Sequence, residues 1–300
     1  MSGISEHRIG AIIPTFNRRG PLQKCLQCIA GQETGEKPFK MIPIVVVDGS
    51  TDGTIEMIRE EFADAEIVEA DGHFWYTKCI NAGIKRAQQL NCDFVLTLND
   101  DLIFASDYVR TILADYFSVE RNSIIGSISL SQEMPRRITF SGVSEINALL
   151  KESNYLPKFS TVDEKNLSGM KRSVVLSGRG ILYPMAIFEE MGLYDEKLVQ
   201  YSSETDFTYR ASRLGKAVWI SYNAIVYENV QLTSAGAIYN SPSFGAFFKS
   251  LGNKRSINSF EKIIYYSIKH RGPVKGWMIA LIRMGGVMKK FLANKLRIAT

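Results

Sequence analysis

An α/β fold with a mainly parallel central sheet flanked by helices is predicted by three features of this sequence. Short β-branched runs alternate with amphipathic stretches of about ten residues, the mark of right-handed βαβ units. The runs are continuously apolar, as in strands buried on both faces. Acidic clusters follow directly after the runs, at the sheet edge where open parallel sheets bind ligands.

The elements follow in order. The run 9–13 ends at Pro14, and Gly20-Pro21 opens a helix on Leu22, Cys25, Leu26 and Ile29. The run 42–47 is the second strand, and Ile55, Ile58 and Phe62 restart the helical period after Ser50-Thr51-Asp52-Gly53. Ile67-Val68 is a third strand, and Ile80, Ile84, Ala87 and Leu90 mark the next helix. Residues 94–98 form a fourth strand, ending at Asn99-Asp100-Asp101. Beyond about residue 120 the pattern loosens: strands are expected at 124–130, 174–176, 218–220 and 225–227, and helices at 184–191 and 205–214. Residues 144–172 read as a loop-rich insertion. One domain over 1–235 is expected, with a nucleotide-binding half at 8–101 and an acceptor and catalytic half at 102–235, followed by a helical tail at 236–300.

Composition bounds the function. At 300 residues, 45% hydrophobic and 22% charged, the chain can bury a sizeable core and is not disordered. No run reaches the 18 or so apolar residues of a membrane span. Residues 1–13 lack the parts of a secretory leader, and four cysteines suit a reducing compartment. The expected location is therefore the cytoplasm. Charge is unevenly placed: residues 249–300 hold twelve Lys and Arg against Glu261 alone, a net +11, which leaves 1–248 at −6. Such a tail implies an anionic partner.

Asp48 follows Val45-Val46-Val47, Asp71 follows the third strand, and Asn99-Asp100-Asp101 follows the fourth. Taken singly, each acid is ordinary turn chemistry. Three at one sheet edge make sense together if a divalent cation and a phosphate occupy the crevice, since hard oxygen ligands suit Mg²⁺ or Mn²⁺.

Four blocks then carry a resemblance: Ile12-Ile13-Pro14-Thr15-Phe16-Asn17-Arg18, Val45 to Thr54 with Asp48-Gly49-Ser50 at its centre, Asn81-Ala82-Gly83, and Leu98-Asn99-Asp100-Asp101. Together, over roughly residues 8–230, they resemble the family 2 glycosyltransferases. That resemblance implies a GT-A, Rossmann-like fold, a nucleotide-diphosphate-sugar donor and inversion at the anomeric carbon. By the same resemblance Pro14, Thr15, Asn17 and Arg18 form the loop under the nucleotide, while Asp48 and Asp71 face base or ribose. Asn81, Asn99 and Asp100 complete the donor site, and Asp101 is the metal ligand. Asn99 stands where many relatives have the first Asp of an Asp-x-Asp motif.

Ser202-Ser203-Glu204-Thr205-Asp206 matches the family's catalytic-base region, which assigns Glu204 as base and Asp206 as its support. A Glu in place of the usual Asp moves the carboxylate by about one methylene. Both acids would also favour a helix N-terminus for structural reasons alone. In Ser177-Gly178-Arg179-Gly180, Arg179 is expected on the diphosphate, with a plain turn as the alternative. Many relatives carry a further metal-binding His after the base helix. Here the segment reads Tyr227-Glu228-Asn229, so either Glu228 or Asn229 is the expected oxygen ligand in its place, unless Asp101 and phosphate hold the metal alone. The Gln-x-x-Arg-Trp motif of processive synthases is absent, which points to addition of one or a few sugars.

The remaining motifs argue little. Cys25-x-x-Cys28 has no matching second pair for zinc, and no P-loop is present. In the tail, Trp277, Leu281, Met284, Met288, Phe291, Leu292 and Leu296 recur at helical spacing with basic residues largely on other faces. A helix lying on anionic lipid at the inner face of the cell membrane, one packed on the catalytic domain, and one packed on a second subunit all fit; no nucleic-acid motif does. The expected partners are a nucleotide-diphosphate sugar and a glycan or lipid-linked acceptor in surface polysaccharide synthesis. Two other classes compete. One is a nucleotidyltransferase, which would need a glycine-rich triphosphate loop that Pro14–Arg19 lacks. The other is an inactive sugar-nucleotide-binding or scaffold protein, to which the missing His lends weight.

Overall fold

The computed structural model describes residues 6–35, 38–232 and 243–298; the expected domain boundary at 235 lies outside them. The strands are β1 (His7–Thr15), β2 (Phe39–Asp48), β3 (Glu66–Ala70), β4 (Phe94–Thr97), β5 (Leu102–Ile103), β6 (Ile124–Ser131), β7 (Ile138–Phe140), β8 (Val143–Ile146), β9 (Glu152–Asn154), β10 (Met170–Arg172), β11 (Ile181–Pro184) and β12 (Val218–Glu228). The helices are α1 (Arg19–Ala30), α2 (Thr54–Glu61), α3 (Trp75–Gln89), α4 (Tyr108–Ser118), α5 (Met185–Met191), α6 (Ser203–Arg213), α7 (Phe244–Gly252), α8 (Phe260–Arg271) and α9 (Pro273–Ile298). The main sheet runs β10-β12-β6-β11-β4-β1-β2-β3. Its β4-β1-β2-β3 side is parallel throughout, and β11 enters antiparallel between β4 and β6. This is the expected mainly parallel α/β sheet.

Alternation along each strand divides the core. Ile9, Ala11 and Ile13 with Val45 and Val47 face α1, α2 and α4, while Ile12, Ile44 and Val46 face α3 and the α5–α6 side. Gly83 permits that second layer: a Cβ there would stand 2.3 Å from Ile12 Cγ2, so α3 could not lie so close on β1.

Two local expectations are corrected. Residues 174–176 form no strand; Val174 N–H bonds Val143 O at 2.8 Å and Leu176 N–H bonds Thr208 Oγ1 at 3.0 Å. Val175 and Leu176 are apolar because they are buried between layers, and the pairing falls instead to β10 and β11. The expected strands 218–220 and 225–227 are one strand, β12, whose register against β6 shifts between Ser221 and Ile225. Ser221 Oγ accepts the N–H groups of Asn223 and Ala224 there, which holds the bulge.

The tail packs on the body. Tyr266 of α8 and Ile279 of α9 share a core cluster with Val143, Val175, Leu198 and Tyr209. Packing of the tail on the catalytic domain is therefore one of the expected readings that the fold contains. No helix among the described residues is long and apolar enough to cross a membrane.

Candidate active site

The loops after β1 and β2 are laced together at the sheet edge. Asn17, in the left-handed region at φ 51°, receives Thr51 N–H at 2.8 Å and gives its own N–H to Ser50 Oγ at 2.9 Å. Arg19 N–H bonds Asp52 at 3.0 Å. Asp48, at the end of β2, accepts N–H groups from Gly72, Phe74 and Trp75 at 2.8–3.1 Å, so its carboxylate caps the start of α3. Asp71 lies exposed beside it and closes a local turn onto His73 N–H. Asn81 is buried in α3 and ties that helix to the 194–196 segment, with both side-chain atoms bonded to the Tyr194 backbone. Pro14 is half-buried in β1.

At the end of β4 the chain turns sharply, and Asp100 and Asp101 become buried. Asp100 accepts from Thr15 Oγ1 and Arg18 Nη1, each at 3.0 Å. Arg18 Nη1 is also 3.7 Å from Asp101 Oδ2. The Asn99 carbonyl accepts from Cys25 Sγ at 3.6 Å, within the core. Burial raises the Asp100 carboxyl above the ordinary range, with Arg18 and Thr15 opposing. Burial and then the charge of Asp100 push Asp101 up to about 6, against the pull of Arg18.

Asp101 Oδ1 is buried with no hydrogen-bond partner. A buried carboxylate oxygen that is repelled by its neighbours and unsolvated is the donor a hard divalent cation would relieve, so this position fits Mg²⁺ or Mn²⁺. The protein would supply few of the ligands: among the described residues no group of three or more His, Cys, Asp or Glu is placed to hold a metal. Glu228, at 2% exposure, instead meets Arg179, with Oε2 2.7 Å from Nε.

Glu204 sits in the first turn of α6, just after Ser202, which is in the left-handed region at φ 74°. Burial raises its carboxyl, and the Arg179 charge and the Gly178 N–H oppose that. Gly178 is sterically required: a Cβ there would lie 2.2 Å from Tyr76 Oη and 3.5 Å from Glu204 Cγ. The Arg179 charge opposes the rise of both the Asp101 and the Glu204 carboxyl, while its own ion pair is made with Glu228. Asp206 faces the other way. It is fully buried and meets Arg210, Lys269 and His270, and those contacts hold its carboxyl below the usual range although burial opposes them.

The residues that sequence reasoning did not find come mostly from the tail. Lys262 of α8 comes near enough to feel Glu204; burial and then Arg283 bring its ammonium down to about 8. Arg255 stacks 3.5 Å over the ring of Trp75. Only the excess of positive charge in the tail hinted at such contacts. Trp75-Tyr76, by contrast, reads from the sequence as a stacking wall for sugar or base, or as core packing; the buried Tyr76 hydroxyl has no hydrogen-bond partner, and the Tyr76 N–H bonds Gln200 Oε1 at 3.2 Å.

With the fold and this edge in view, the comparisons settle the class. The model of glycosyl transferase family 2 matches residues 11–178, and the chain belongs to that family. It is 27% identical over 196 residues to glycosyltransferase GlyA of Streptococcus pneumoniae serotype 4, covering 62% of this chain and 26% of that one. It is 26% identical over 170 residues to the low-salt glycan biosynthesis hexosyltransferase Agl10 of Haloferax volcanii, covering 56% and 53%. The chain thus spans about a quarter to a half of the length of these curated relatives. Among solved structures, GalNAc-T7 with UDP, GalNAc and Mn²⁺ superposes at a TM-score of 0.60 and 12% identity, over 90% of this chain and 52% of that one. TarS 1–349 of S. aureus in complex with UDP gives 0.51 and 14%, over 87% and 71%. At such identities these two show the fold, which is GT-A.

Proposed function

We propose that the chain is a non-processive, inverting glycosyltransferase. It moves a sugar from a nucleotide-diphosphate donor of the UDP-hexose or dTDP-rhamnose kind to a hydroxyl of a glycan or lipid-linked acceptor in surface polysaccharide synthesis. What supports this reading is the family match over residues 11–178 together with the buried, partnerless Oδ1 of Asp101 at the sheet edge, where a cation and a diphosphate would fit.

In the transfer, Glu204 takes the proton from the acceptor hydroxyl as its oxygen bonds the anomeric carbon. The bond from that carbon to the diphosphate breaks on the opposite face, and the nucleoside diphosphate leaves. The raised carboxyl suits this task, because a base must hold the proton it takes. Arg179 stabilises the departing charge with its forked donors. Pro14, Thr15, Asn17, Arg18, Asp48, Asp71, Asn81, Asn99 and Asp100 shape the donor side, through direct contact or by fixing the loops. Asp101 is the residue proposed to hold the metal, with Glu228 the second candidate. Bound there, Mg²⁺ or Mn²⁺ would supply Lewis-acid neutralisation of the diphosphate. Residues 8–101 then serve the donor and 102–235 the acceptor. The basic 236–300 segment would hold the protein peripherally on the cytoplasmic face of the membrane.

Calorimetric titration with UDP, dTDP, GDP and CMP, each with and without Mn²⁺, tests the reading. Selective, metal-enhanced binding of one diphosphate supports it, and an inverted anomeric product by NMR supports the mechanism. Absence of binding at millimolar nucleotide overturns the donor assignment and favours the scaffold reading.

A further inference from the structure

Helix α9 is apolar on two sides. Ile279, Ala280 and Phe291 face inward and are buried. Val274, Trp277, Met278, Leu281, Ile282 and Leu292 face outward and are 47–76% exposed. At about 100° per residue these six fall within one arc of about 140°. The stripe expected from spacing alone therefore splits, since Phe291 packs inward, stacked 3.9 Å from Phe247 of α7, while Met278 and Ile282 join the outer face. Phe244 and Phe248 of α7 add two more exposed rings on the adjoining helix.

Six large apolar side chains aligned on one exposed helix face need a partner. Charge says which kind. Helix α9 contains Lys275, Arg283, Lys289, Lys290, Lys295 and Arg297 and no acidic residue. Lys275 is exposed on one flank of the apolar arc, and Lys289 is exposed within its angular range two turns beyond Ile282. An apolar face flanked by cations and free of acids matches an anionic bilayer, with acyl chains to receive Trp277 and Leu281 and headgroups to meet the lysines. The inner side of the same helix packs on α8, where Arg283 lies over the Tyr266 ring at 5.6 Å, and α8 in turn contacts α6, the helix of Glu204, through Lys269 and Asp206.

We propose that the outer face of α9, centred on Trp277, Leu281 and Ile282, lies in the headgroup region of an anionic membrane. The inference deepens the proposed function: it assigns the acceptor to the lipid-linked class, presented from the bilayer plane.

Sedimentation of the full chain with vesicles tests this without reference to activity. Mixed phosphatidylglycerol–phosphatidylcholine vesicles should retain the protein, pure phosphatidylcholine should retain far less, and high salt should release it. Trp277→Ser combined with Leu281→Ser and Ile282→Ser should weaken partitioning by at least about tenfold, with the thermal transition unchanged. Lys275→Glu with Lys289→Glu should remove the preference for anionic vesicles. Equal partitioning of wild type and the triple serine variant, or binding to neither vesicle, overturns the proposal. So does a dimer by light scattering that the serine variant abolishes, because a second copy would then cover the face. Nucleotide calorimetry on the same samples separates the readings: lost vesicle binding with intact nucleotide binding removes the membrane surface alone.

Discussion

Lys269 of α8 places its Nζ 2.8 Å from Asp206 Oδ2 in α6, joining the basic tail to the helix that carries Glu204. The same Nζ is 2.5 Å from Asp195 Oδ2, which also accepts from Tyr265 at 2.5 Å. His270 Nε2 stands 3.0 Å from Asp206 Oδ1, and Arg210 Nε 3.0 Å from Oδ2. A fully buried carboxylate is tolerable only with such partners. The tail is thus part of the support for α6, the helix that carries Glu204.

Lys269→Met should lower stability by about 1–3 kcal/mol, the usual size for losing a hydrogen bond to a charged group. Thermal melts measure it. Because the Asp206 carboxyl is depressed in the folded state, its stabilisation is full above the unfolded value of about 4 and is lost as pH falls through the lower folded value. Wild type should therefore lose stability across that acid window more steeply than Asp206→Asn. Equal acid slopes would show that Asp206 is not so held.

Glu204→Gln should bind donor normally and transfer sugar about 10²–10⁴-fold more slowly. Since the carboxylate form is the base and burial raises its pKa, kcat/KM for acceptor should fall as pH drops through a value above that of an ordinary Glu. Undiminished transfer by the Gln variant would remove Glu204 from the mechanism.

Asp101→Asn should leave the metal-free protein at least as stable as wild type, since it removes a buried charge that Asp100 and Glu228 repel. It should also abolish any rise in melting temperature with Mn²⁺. A rise equal to that of wild type would place the metal elsewhere.

Gly178→Ala forces a Cβ onto Tyr76 Oη and should reduce transfer sharply. Tyr76→Phe in the same chain removes that oxygen and should restore part of the activity, although Tyr76 Cζ, 3.2 Å from the new Cβ, remains tight. Additive losses in the double variant would show that the clash is not what Gly178 avoids.

Local order in the chain settled much of this protein. The continuous β-branched run Val45-Val46-Val47 suits a strand buried on both faces, and β2 contains it. Helical spacing at Leu22, Cys25, Leu26 and Ile29 became the buried face of α1. The acids after β2 and β4 lie at strand ends because a strand that stops there leaves its next residues on the sheet edge. Periodicity failed where burial and pairing part company. The run 174–176 is as apolar as a strand but is wedged between layers, and residues 221–224 read as a gap because a bulge breaks the alternation without ending β12.

What tertiary structure alone decided is who faces whom. Asp48 caps α3 through a turn more than twenty residues away. Arg179 meets Glu228, and Lys269 and His270 grip Asp206 from more than sixty residues off. Charge composition showed that the tail is basic. It did not show that part of that charge neutralises Asp206 in α6 while an apolar arc of α9 is left outward. The reason is physical: periodicity records which face of an element is buried, whereas ion-pair partners depend on how elements separated along the chain are docked.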